Sequence, residues 1–162
     1  MQYTFDFSAT KCKPTMILNE VVMSYKKTTD LSSSMFSMVN SSLKTAKVLR
    51  EIWNEEFAIR ESFYILCYDH SLSIVGYKKI ADGGLDAVLV DIRLLMTTAL
   101  LCRATAIVVA HNHPSGTLCP SKADRNLTSK IQEACNLLDI VLNDHIILTE
   151  EDYYSFYDSG DL

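Results

Sequence analysis

The feature that most constrains the fold is a short apolar run, Ala106-Ile107-Val108-Val109-Ala110, which ends on His111-Asn112-His113-Pro114. A strand with no polar alternation has to be covered on both faces. The run therefore predicts a buried strand, and the patterns around it predict one mixed α/β domain. A chain of 162 residues is long enough for one such domain.

Around that strand the chain reads as alternating elements. Val21 to Met23, within Ile17 to Tyr25, reads as a short strand, and residues 28–42 read as a Ser/Thr-rich loop. Asn40-Ser41-Ser42 offers N-cap residues for a helix whose face is Leu43, Ala46, Leu49 and Trp53. Phe63 to Tyr68 and Leu72 to Tyr77 form a predicted hairpin, and Gly83-Gly84 marks a tight turn or a close backbone approach. Asp91 caps a helix carrying Leu94, Leu95, Thr98, Leu101 and Cys102. Ser121 to Leu138 is a helix with Leu127, Ile131, Ala134 and Leu138 on one face, followed by strands at Ile140 to Leu142 and His145 to Leu148.

Composition narrows the class. Hydrophobic residues make up 48% and charged residues 22%, which is globular usage and excludes a disordered or low-complexity chain. No apolar run is long enough for a membrane span, and the N-terminal residues lack a basic stretch followed by an apolar one, so no secretory signal is expected. The five cysteines form no CxxC pair, which fits free thiols in a reducing, cytoplasmic compartment. Residues 82–162 hold five Lys/Arg against twelve Asp/Glu, and the basic pairs Lys26-Lys27 and Lys78-Lys79 stand alone. A protein built to lie on phosphates usually carries a basic face, and none is visible in this charge pattern.

The chemistry concentrates in His111-Asn112-His113-Pro114 and Ser121-Lys122-Ala123-Asp124. Strand side chains alternate, so His111 and His113 point the same way and reach one metal ion. The Pro/Gly loop lets the helix start carrying Asp124 fold back toward the strand end. Two histidines and one carboxylate make a catalytic zinc set with a fourth position for water, and bound zinc brings that water to a pKa of about 7. At this composition the spacing His-x-His-x10-Asp arises by chance roughly 0.007 times per chain. Ser121-x-x-Asp124 also reads as a capping box, which needs no metal. Cys119 lies close in sequence to the metal loop as a conceivable fourth ligand, His145 reads as a satisfied structural histidine or as one that orients a ligand, and His70 reads as a solvent-facing one.

These residues resemble the JAMM motif of the MPN-type metalloprotease fold. From about Val21 to Leu162 the chain is similar to the RadC-like branch, long labelled as DNA-repair proteins. The similarity lies in Arg60-Glu61-x-Phe63, Gly83-Gly84, Asp91-x-Arg93, His111 to Gly116, Pro120-Ser121-x-Ala123-Asp124, Asp144-His145 and Tyr154-Ser155-Phe156. The resemblance implies a three-layer domain with a mixed central β-sheet flanked by helices, the cytidine-deaminase-like or MPN fold, over residues 41–162, with residues 1–40 as an N-terminal extension. It implies His111, His113 and Asp124 as ligands of one Zn2+ per chain, and it leaves Cys119 out. It implies Glu61 as general base, and Glu61 shares strand parity with Phe63, Ile65 and Cys67. It also implies that Ser121 steadies the oxyanion.

The expected function is zinc-dependent hydrolysis of an amide bond, peptide or isopeptide, in a protein or peptide substrate. The alternative is a DNA-repair or mobile-element factor whose main role is binding. Full-length RadC proteins carry a helix-hairpin-helix segment, and no Gly-containing hairpin pair is visible in the roughly 60 residues before Glu61. A non-catalytic interaction module is the remaining reading, disfavoured because the ligand set is complete.

Overall fold

Phe63, Ile65 and Cys67 alternate with Tyr64, Leu66 and Tyr68 along β1 (Ser62–Tyr68), and each set enters a separate apolar core. The same alternation runs through β3 (Ala106–Asn112), where Ile107 and Val109 join the first core and Ala106, Val108 and Ala110 the second. Both strands are buried over their whole length, as the apolar run required. The computed structural model describes residues 41–53, 57–84 and 87–162. The expected strand at Val21 to Met23, the loop before residue 41 and the N-terminal extension lie outside the described residues.

The sheet has five strands in the order β2-β1-β3-β4-β5, with β2 at Ile74–Asp82, β4 at Val141–Leu148 and β5 at Tyr153–Ser155. It is mixed: β3 and β4 run parallel and the other neighbours antiparallel. Helix α1 (Ser42–Ile52) covers one face through Ala46, Val48 and Leu49. Helices α2 (Ile92–Leu101) and α3 (Lys122–Leu137) cover the other through Leu95, Met96, Ala99, Ile131 and Cys135. The result is a single three-layer α/β domain, as expected from the sequence. Each fully buried aliphatic or aromatic side chain in these cores contributes about 1.5–3 kcal/mol of transfer free energy.

Packing changes several details. Ser41 caps α1 as expected, but Leu43 is exposed and Trp53 ends the helix. Asp91 caps α2, yet the buried face is Leu95, Met96, Thr98 and Ala99, with Leu94 and Leu101 turned outward. On α3 the buried positions are Thr128, Ile131 and Cys135, while Leu138 is exposed. The two final strands are one, β4, and the short β5 pairs with its end. A register shift at Asn143 separates the pairs Ile107–Leu142 and Val108–Asp144. That extra residue re-aims the rest of β4, as bulges beside functional sites do. It puts Asp144 on the α1 side and His145 on the α2/α3 side. No helix among the described residues is long and apolar enough to cross a membrane.

Gly83 shows why a glycine precedes Gly84. A Cβ there would run into the Ala87 carbonyl and lie 2.8 Å from the Val88 Cα. The close approach lets Gly83 N–H donate to the Glu61 carbonyl at 2.8 Å, while Glu61 N–H donates to the Gly84 carbonyl at 3.0 Å. The β1–β2 pairing thereby continues one residue past β1, through Glu61.

Candidate metal centre

β3 delivers His111 at its buried end, and the ladder with β4 continues as His113 N–H donates to the Leu148 carbonyl at 2.8 Å. A turn follows at once: Gly116 N–H donates to the His113 carbonyl, and Gly116 takes φ +77°, a region open to glycine. The loop then returns the chain to Ser121, the N-cap of α3. The capping box is complete: Asp124 N–H donates to Ser121 Oγ at 3.1 Å, and Ser121 N–H donates to Asp124 Oδ2 at 2.7 Å. Cap and ligand are therefore not alternatives. Oδ2 is held by the Ser121 amide, and Oδ1 lies 3.3 Å from His111 Nε2.

One ligand atom from each of His111, His113 and Asp124 falls within 4.8 Å of the others. The Nε2 atoms of the two histidines are 3.0 Å apart, and His113 Nε2 is 3.8 Å from Asp124 Oδ2. Ligand–ligand edges in a tetrahedral zinc site with bonds near 2.0–2.1 Å are about 3.3 Å. The two separations from His111 Nε2, 3.0 Å to His113 Nε2 and 3.3 Å to Asp124 Oδ1, lie near that value, while His113 comes within 3.8 Å of the other carboxylate oxygen, so the three side chains are close enough together to hold a small cation. His113 supports the fit chemically. Its Nδ1 lies 2.6 Å from the Thr117 carbonyl, which only accepts, so the ring proton sits on Nδ1 and a neutral His113 turns its Nε2 lone pair inward.

Burial keeps His111 and His145 neutral. His111 is fully enclosed, and desolvation pushes its pKa down to about 4, with His113 pushing the same way and Asp124 opposing. His145, wholly buried beneath it, is held well below the usual imidazole range by desolvation first and by His111 and His113 second. A neutral imidazole is the form that binds a metal. Aromatic rings complete the enclosure: Phe63 stacks on His111 at 6.1 Å between centroids, and Phe156 on His145 at 4.7 Å.

Asn112, between the two histidines, faces the opposite way and organises the approach to β1. It is completely buried. Its Oδ1 accepts from Ser62 N–H at 2.7 Å, and its Nδ2 donates to the carbonyls of Phe57 at 2.6 Å and Arg60 at 2.9 Å. The segment before β1, which carries Glu61, is thus tied to the histidine strand. Phe63 pairs with His111. Continuing that register by two residues brings Glu61 beside His113, half-buried at the same end of the sheet. Ser121, at the helix start, is exposed.

Other expectations resolve simply. Cys119 is exposed, its thiol lies 3.8 Å from the Pro120 carbonyl, and the cluster of His111, His113 and Asp124 does not include it. His70 is exposed in a turn. Asp91 caps α2 and pairs with Arg93 at 2.7 Å on the surface, which holds the Asp91 carboxyl down at about 2. His145, read as a structural histidine or as one that orients a ligand, is fully buried, and its Nε2 lies 2.9 Å from His111 Nδ1. Sequence reasoning missed Asn112 and Thr128. The only signal for Thr128 was its place one turn after Asp124 on the same helix face.

A family profile described as RadC-like JAB domain matches residues 39–161, most of the chain. A UPF0758 protein of Flavobacterium johnsoniae is 41% identical over 100 residues, covering 62% of this chain and 44% of the relative. One from Thermotoga maritima is 35% identical over 124 residues, 76% of this chain and 54% of the relative. Another from Haemophilus influenzae is 35% identical over 141 residues, 86% of this chain and 61% of the relative. The chain spans about half the length of the curated relatives it matches. With the fold and the histidine–aspartate cluster agreeing with that match, the chain belongs to the RadC-like JAB domain family.

Proposed function

We propose that the chain is a zinc-dependent hydrolase of amide bonds, acting on a peptide or isopeptide linkage. The observation that carries the reading is the clustering of His111 Nε2, His113 Nε2 and the Asp124 carboxylate, with one ligand atom from each within 4.8 Å of the others. A zinc ion held there supplies a polarising Lewis acid and a water acidic enough to attack at neutral pH. Glu61, one strand over at the same sheet end, takes the proton of the attacking water and returns it to the leaving amine. Ser121 steadies the oxyanion. Its Oγ accepts from Asp124 N–H, which leaves the hydroxyl proton free to donate.

Metal analysis and a peptide-library cleavage screen test this together. Reconstituted wild type should hold one zinc per chain, and His113→Ala should lose it. Glu61→Ala should keep the metal and lose cleavage by about a hundredfold or more. Wild type that takes up no zinc overturns the proposal, and zinc with no cleavage of any library member overturns its catalytic half.

A further inference from the structure

Two buried side chains that the proposed hydrolysis does not use are wired to its ligands in series. His145 Nε2 lies 2.9 Å from His111 Nδ1. His145 Nδ1 lies 2.6 Å from Thr128 Oγ1. Thr128 Oγ1 lies 2.7 Å from the carbonyl oxygen of Asp124, one helical turn back. The chain therefore starts at one ligand, His111, and ends on the backbone of another, Asp124. Both intermediate residues are buried, so water does not replace a missing partner.

Neutral imidazole has one donor and one acceptor nitrogen, and a threonine hydroxyl has one proton. Two arrangements with the same number of protons satisfy the chain. In the first, Thr128 donates to His145 Nδ1, His145 donates through Nε2 to His111 Nδ1, and His111 carries its own proton on Nε2. That proton sits where a cation would bind. In the second, Thr128 donates to the Asp124 carbonyl, His145 donates through Nδ1 to Thr128 Oγ1, and His111 donates through Nδ1 to His145 Nε2. His111 Nε2 is then a lone pair facing His113 and Asp124. The hydroxyl has an acceptor on each side and serves both arrangements by rotating.

We propose that His145 and Thr128 are positioning residues that set the tautomer of His111 for metal binding, with the Thr128 hydroxyl as the switching point. The proposal rests on the metal-centre reading above and adds the residues that make it ready. Partners behind a ligating histidine fix its ring and its tautomer, and losing them typically weakens metal binding about 10–100-fold. The second arrangement needs an acceptor at residue 128 to receive the buried His145 N–H. Valine keeps the shape of threonine and removes that acceptor, whereas serine keeps it.

Zinc affinity by chelator competition, on the full chain, separates the outcomes. Thr128→Val should weaken zinc about 10–100-fold and Thr128→Ser should stay within about threefold of wild type. Two-bond 1H–15N correlation spectra of the zinc-loaded wild type should show the ring protons of His111 and His145 on Nδ1. Equal zinc affinity for wild type and Thr128→Val, or a zinc-loaded His145 protonated on Nε2, would overturn the relay. The spectra use wild-type protein, so they decide the matter even if a variant folds poorly. Wild type that binds no zinc at all fails earlier and overturns the metal-centre reading itself.

Discussion

Asn112→Ala is the perturbation whose cost can be worked most directly from the structure. The side chain is fully buried and makes three hydrogen bonds, one to Ser62 N–H and one each to the carbonyls of Phe57 and Arg60. Truncation leaves the buried Ser62 N–H without a partner, at about 1–3 kcal/mol. The two carbonyls belong to half-buried residues that water can partly reach, so each lost bond costs nearer the net value of about 0.5–1.5 kcal/mol. The sum is about 3 kcal/mol, toward the lower end because the loop can relax. For a domain of this size that corresponds to a melting temperature lower by roughly 6–12 °C. Urea unfolding should show a lower midpoint with an unchanged m-value. Zinc stoichiometry should hold near one per chain, since His111 and His113 are carried by β3 and its extension, while cleavage falls because the Glu61 segment loses its tie. A stability loss below about 1 kcal/mol would refute the claim that Asn112 anchors that segment.

Two further outcomes follow from the same geometry. The pKa values of His111 and His145 are both lowered in the fold, so the unfolded chain binds more protons as pH drops below the ordinary imidazole value of about 6.5. Stability of the metal-free protein should therefore fall as pH is lowered from about 6.5 toward about 4, with Asp144, whose carboxyl is raised by burial, opposing weakly at the acid end; a denaturation midpoint that is flat across that range contradicts it. Gly83→Ala forces a Cβ against the backbone of residues 87 and 88 and should cost about 1–3 kcal/mol, read as a lower melting temperature; an unchanged one would mean the loop yields without disturbing its bonds to Glu61.

The parts of the site legible in the sequence were those fixed by short-range rules. Strand alternation put His111 and His113 on one side, and the spacing Ser121-x-x-Asp124 announced a capped helix start. The helix faces were less legible. Helix α2 carries Leu94, Leu95, Met96, Leu100 and Leu101, so it is apolar almost all round, and only packing against the sheet selects Leu95, Met96 and Ala99. The split reading of β4 has a physical cause as well: the register shift at Asn143 breaks the alternation on which a strand is recognised. That shift also hid His145, whose side is decided by the bulge rather than by parity from Leu142. Asn112 was opaque because its partners lie more than 49 residues back along the chain.

Asp124 closes the first turn of α3 by itself, with the Ser121 amide holding one carboxylate oxygen. The helix cap thus fixes the position of Asp124 independently of the two histidines. Small zinc modules collapse when a chelator strips them, because their ligands have no other reason to meet. Here the helix cap gives Asp124 a reason to sit where it does apart from any ion, so a cation held as proposed should be removable by a chelator without unfolding the chain.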